Sequence, residues 1–104
     1  MAEERVVKQL DELRRRIDEI DQQLVELLNA RARCALEIGQ EKKGAGMEVY
    51  QPTRETEVLE HVQSINPGPL DGEAMIRLFE RIIDEARRLE RVVSKQHEGQ
   101  TGDS

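Results

Sequence analysis

The chain has 104 residues, enough for one small domain, and only 37% of them are hydrophobic and 2% aromatic, so a monomeric core would be thin. Charged residues of both signs make up another 37%, which favours long solvated helices over a sheet protein. The net charge of −6 argues against nucleic acid, and the single cysteine, Cys34, excludes an intrachain disulfide and suits a reducing compartment.

The opening "MAEERVVKQLDELRRR" lacks the apolar run of a signal peptide, and no later stretch approaches a membrane span. The expectation is a soluble, cytoplasmic protein. From about Arg5 to Lys43 one helical pattern runs without proline, and without glycine until Gly39. "KKGAG" ends it. The irregular stretch "GAGMEVYQ" follows, a candidate for a mobile lid because of its glycines. Pro52 suits the first position of a second helix, which runs to about Ile65 with Leu59, Val62 and Ile65 on one face. "NPGP" stops it. Asp71 is the expected N-cap of a third helix, with Leu70 and Met75 placed as a hydrophobic staple. That helix continues through "EAMIRLFERIIDEARRLERVVSKQ". The folded domain is expected over 5–97 and a disordered tail over 98–104. The fold class is therefore all-α, with three helices: long, short, long.

A helix of roughly 38 residues is about 57 Å long, whereas a compact chain of this size has a radius of gyration near 13 Å. Helix one would protrude from its own domain and expose its apolar seam. The economical solution is a second copy, so an intertwined homodimer is predicted.

The seams carry charges in unexpected places. Leu10, Leu13, Ile17, Ile20, Leu24 and Leu27 step by three and four, and the next step lands on Arg31, then Cys34 and Ile38. A guanidinium on a buried seam is costly unless an anion meets it. Lys42 lies eleven residues on, three turns later and only about 20° round the helix. In helix three, Ile76, Phe79, Ile83 and Ala86 lead to Glu90 and then Val93. In helix two, Glu55 sits four residues before Leu59, with Arg54 beside it. Arg14 is about 25 Å from Arg31 along helix one, too far to serve the same pocket within one chain, though it can reach a partner's.

Each charge has a purely structural reading. A seam arginine can pair with a facing glutamate, a lysine near a helix end can cap carbonyls, and Glu90 can pair with Arg87. Together, though, several cations on apolar faces of an acidic protein suggest a small, positively lined pocket for a dianion. His61, His97 and Cys34 have no companions at metal-ligand spacing, and no phosphate-cradling glycine loop is present. No metal site is expected.

Three stretches, "LRRRIDEIDQQLVELLNARARCALEIGQEKK", "VYQPTRETEVLEHV" and "MIRLFERIIDEARRLE", resemble the all-α class of chorismate mutases. The resemblance covers about Leu10 to Val93 and rests on L-R, I-D, L-L-x-x-R, G-x-x-K and P-x-R-E in combination. It implies a monofunctional, bacterial-type enzyme without a cofactor, an intertwined dimer with two sites that rearranges chorismate to prephenate towards phenylalanine and tyrosine. By the same resemblance, Arg31 and the other subunit's Arg14 would clamp the substrate carboxylates. Lys42 would hydrogen-bond a carboxylate and the ether oxygen, Glu55 would take the ring hydroxyl, and Arg54 would orient the acids. Glu90 would face the ether oxygen opposite Lys42.

Three positions depart from the family's common pattern. Gln51 stands where many relatives have aspartate, weakening the cap of helix two. Ala86 replaces a common serine and loses a hydroxyl contact. Glu90, glutamine in some members, must be protonated to donate, and burial beside an anionic substrate would raise its pKa while Lys42 opposes the rise. Two rivals remain: an isochorismate pyruvate lyase on the same fold, and a non-catalytic helical dimerisation or regulatory module. A separate partner enzyme that regulates the chain also stays open.

Overall fold

A computed structural model describes residues 1–48 and 51–101, with side chains to residue 96. Residues 98–101 of the expected tail continue the backbone of the third helix, while 102–104 and two residues of the candidate lid, Val49 and Tyr50, lie outside the described residues. The described chain is all-α: α1 spans Ala2–Gly44, α2 Pro52–Ile65 and α3 Gly72–Thr101. α1 begins three residues earlier than the sequence pattern indicated, where Glu3 and Glu4 favour a helix N-terminus electrostatically. No helix is long and apolar enough to cross a membrane, among the described residues.

The chain divides into two units, Met1–Arg31 and Ala32–Ser104. The first is a single helical rod. Its solvated face carries local ion pairs: Glu12 with Arg15 at 2.5 Å and Arg16 at 3.8 Å, and Asp11 with Arg14 at 3.9 Å. Such exposed pairs at helical spacing contribute only tenths of a kcal/mol each. Its apolar seam, Leu10 through Leu27, is bare, with Leu27 67% exposed.

The second unit has an interior of its own. α1 ends there in a Schellman arrangement. The N–H of Met47 donates to the carbonyl of Lys42 (2.7 Å) and that of Gly46 to Lys43 (3.1 Å). Gly46 has φ 71°, the left-handed conformation that glycine adopts without a steric penalty. Pro52 opens α2 as expected. At the start of α3 the Asp71 carboxylate accepts the N–H of Ala74 at 2.7 Å, so the expected N-cap is formed.

α2 and α3 pack antiparallel. Glu55, early in α2, meets Arg87 late in α3, while Gln63, late in α2, lies against Gly72 at the start of α3. A β-carbon at Gly72 would approach the Gln63 side-chain amide to 2.9 Å, so the Gln63 side chain lies over the glycine at this end of the pair. Between these points Val62 is buried, at 8% exposure, and Leu59 half-buried, while Ile65 in the last turn of α2 faces solvent. The α3 seam of Ile76, Phe79, Ile83, Ala86, Glu90 and Val93 is half-buried throughout, whereas Leu78 and Val92, off that seam, are exposed.

Candidate active site

The end of α1 runs alongside α3 in parallel register. A β-carbon at Gly39 would sit 3.7 Å from the Glu90 carboxyl carbon. One turn further on both helices, the Lys43 ammonium donates to the Ser94 hydroxyl. The Glu90 carboxyl therefore rests over the bare backbone of Gly39, flanked by residues that hold the two helices in step.

Lys42 acts on this carboxyl from α1 and Arg87 from one turn back on α3, and both favour its ionised form. Partial burial outweighs them, and Glu90 is held above its ordinary value of 4.5. The Lys42 ammonium also donates to the Gln51 side-chain oxygen at 3.1 Å. Gln51 makes no side-chain cap to α2. Its backbone carbonyl instead accepts the N–H groups of Arg54 (3.1 Å) and Glu55 (3.4 Å). Glu55, half-buried, forms an ion pair with Arg87 across the α2–α3 contact.

The second unit thus carries one polar cluster drawn from three helices: Lys42 is bonded to Gln51, Arg87 is paired with Glu55, and both cations act on Glu90 through their charge. The cluster is half-buried at Lys42, Glu55, Arg87 and Glu90. Chemically it offers an ammonium donor whose charge reaches a carboxyl biased towards its protonated form, with a second carboxyl, that of Glu55, held by Arg87.

The other expected residues are placed as follows. Ala86 is half-buried, one turn before Glu90. Arg54 is exposed and turns to Glu57 at 3.5 Å, its neighbour on α2. Arg14 and Arg31 belong to the first unit. Arg14 is exposed, and Arg31 is half-buried with no ion pair among the described residues. Two contributors were named from the sequence without the contacts that the structure gives them. Gly39 is read there as part of the G-x-x-K pattern, and its facing Glu90 is a contact between distant segments. Arg87 reads as a helical neighbour of Glu90, which it is, but its pairing with Glu55 depends on how α2 packs against α3.

The chorismate mutase type II family model matches residues 13–91, which takes in the seams of all three helices. The chain belongs to that family. It is 39% identical over 99 residues to a bifunctional chorismate mutase/prephenate dehydratase of Pseudomonas aeruginosa, covering 90% of this chain and 27% of that protein. The bifunctional enzyme of the same description from Neisseria gonorrhoeae is 42% identical over 97 residues, covering 89% of this chain and 26% of that protein. The chain therefore spans about a quarter of the length of these curated relatives. Among solved structures, chorismate mutase (Form II) from Thermus thermophilus superimposes with a TM-score of 0.77 at 32% identity, covering 80% of this chain and 94% of that one.

Proposed function

We propose that the chain is a chorismate mutase, catalysing the unimolecular rearrangement of chorismate to prephenate. The observation that carries this reading is the Glu90 carboxyl resting against Gly39 under the charge of Lys42, in a chain of this family. A pericyclic shift needs no nucleophile. It gains from a protein that holds the flexible substrate with its reacting ends together. It also gains from donors aimed at the ether oxygen, where negative charge grows as that bond breaks.

In this proposal Lys42 donates to the ether oxygen and a carboxylate, and protonated Glu90 donates from the other side. The burial that raises Glu90 favours the protonated form the role requires. Glu55 accepts the ring hydroxyl. Arg54 orients the acids, and Gln51 offers its backbone. Arg31 and the other subunit's Arg14 grip the two carboxylates bidentately, a geometry that guanidinium suits.

The proposal includes an intertwined homodimer with two sites, a cytoplasmic location and a folded domain over 5–97 with a tail beyond it. The bare seam of the first unit supports the dimer, because an apolar stripe of that length is a surface that seeks cover. The test is to add purified protein to chorismate and identify the product. Prephenate is expected. Pyruvate released from isochorismate would assign the lyase reaction instead, and no turnover of either compound would leave a dimerisation module.

A further inference from the structure

Glu55 and Glu90 lie on different helices, yet one side chain acts on both. The Arg87 guanidinium pairs with the Glu55 carboxylate across the α2–α3 contact, and the two side chains are only 31% and 28% exposed. It is also one turn from Glu90 on the same helix, where it opposes the effect of burial. The charged groups that act on Glu90 come from two elements, Lys42 on α1 and Arg87 on α3 itself, with α2 adding Glu55 through Arg87.

We infer that Arg87 is a positioning residue of the active site: it fixes the Glu55 carboxylate as the acceptor for the substrate's ring hydroxyl and sets its own charge one turn from Glu90. Two physical consequences follow, and they have opposite value for the enzyme. A carboxylate locked by a guanidinium keeps one rotamer, leaving its second oxygen to accept a hydroxyl. Without Arg87 it is loose and half-desolvated, so substrate capture suffers. The same guanidinium disfavours protonated Glu90, so its loss extends the protonated form to higher pH. The site thereby couples its grip on one end of the substrate to the proton at the other.

This inference rests on the mutase reading and is tested with Arg87→Gln and Arg87→Lys in the full chain, alongside wild type. Prephenate formation by wild type tests the reading itself. For Arg87→Gln, KM is expected to rise about tenfold or more, as for loss of a charge-assisted hydrogen bond network. The alkaline fall of kcat/KM should at the same time move to higher pH. Arg87→Lys keeps the charge and should return the pH profile towards wild type while restoring KM only in part, because an ammonium cannot make the forked contact.

A residue that merely glued α2 to α3 would lower stability and leave the position of the pH limb untouched, and that result would overturn the inference. Titration of the Glu90 carboxyl, followed by NMR in the same variants, reads the second effect without turnover. An upward move in Arg87→Gln is expected, and an unmoved midpoint would also overturn it, whatever reaction the wild type catalyses.

Discussion

Two apolar stripes in this molecule share one periodicity and have different fates. The seam of the first unit, from Leu10 to Leu27, is exposed along its length, while the α3 seam, from Ile76 to Val93, is half-buried against its own unit. Both read from the sequence as steps of three and four. The pattern identifies the face that needs covering, and it is silent about which surface provides the cover. In the second unit that surface comes from the same chain. For the first unit a second copy is proposed.

The largest expected effect tests this difference directly. Ile20→Asp places a charge in the bare seam, and Phe79→Ala opens a gap in the self-covered one. Ile20→Asp should abolish the dimer and with it folding and activity, because burying an unpaired carboxylate costs more than an assembly of this size can spare. Phe79→Ala should lower stability by about 3 kcal/mol and leave association intact. Sedimentation and circular dichroism distinguish the two. An Ile20→Asp protein that keeps the wild-type association state and full helicity would mean that the first seam has no partner.

The second expected effect is on turnover. Lys42→Ala removes the ammonium that faces Glu90, and kcat should fall by about 10²–10³-fold, as for other donors aimed at a developing oxyanion. The two arginines of the first unit extend the same comparison. If Arg14 serves the other subunit's site, mixing inactive Arg14→Ala and Arg31→Ala chains should restore about a quarter of the sites, since half the dimers are mixed and one of their two pockets keeps both arginines. Recovery is read as prephenate formation. Its absence after proven chain exchange would contradict the placement of Arg14 in the other subunit's site.

Smaller still is the effect of Glu90→Gln, which should flatten the pH dependence of both rate and stability. Glu90 titrates above its ordinary value of 4.5, so wild-type activity should decline as pH rises through the shifted value and the donor is lost. The stability contribution has the same sense. It is fully present below the ordinary carboxylate range and is lost as pH rises through the raised folded-state value. The glutamine variant has no proton to lose and should hold both quantities level across that window. Superimposable profiles for the two proteins would remove Glu90 from the ether-oxygen role.

The helices, their order and the faces that pack were legible because each rests on local chemistry: Pro52 at an N-terminus, Asp71 as a cap, a periodic seam. The charges on those seams were legible for the same reason, since Arg31, Lys42 and Glu90 interrupt a regular series. What could not be read was how distant segments meet. Arg87 is one of several arginines on α3 until α2 brings Glu55 to it, and Gly39 is one position of a G-x-x-K pattern until α3 lays a carboxyl on it. Gln51 was legible as a poor cap, but its bond to Lys42 depends on the turn that ends α1.

That last residue gives the smallest predicted effect and a sharp one. Gln51→Asp offers α2 the side-chain cap it lacks, and an aspartate at this position can accept the N–H of Arg54 or of its neighbour. Capping alone should stabilise the protein by about 0.5–1 kcal/mol, seen as a higher melting temperature. The same carboxylate also faces the Lys42 ammonium, which now donates to the Gln51 amide at 3.1 Å. A carboxylate there competes with the substrate's own carboxylate and ether oxygen for that ammonium, so KM should change together with stability. Asparagine separates the two effects. It caps nearly as well as aspartate but carries no charge, so Gln51→Asn should reproduce the stabilisation and leave KM near wild type. If instead both variants shift KM equally, the cap rather than the charge at Lys42 governs how this corner of the site receives its substrate.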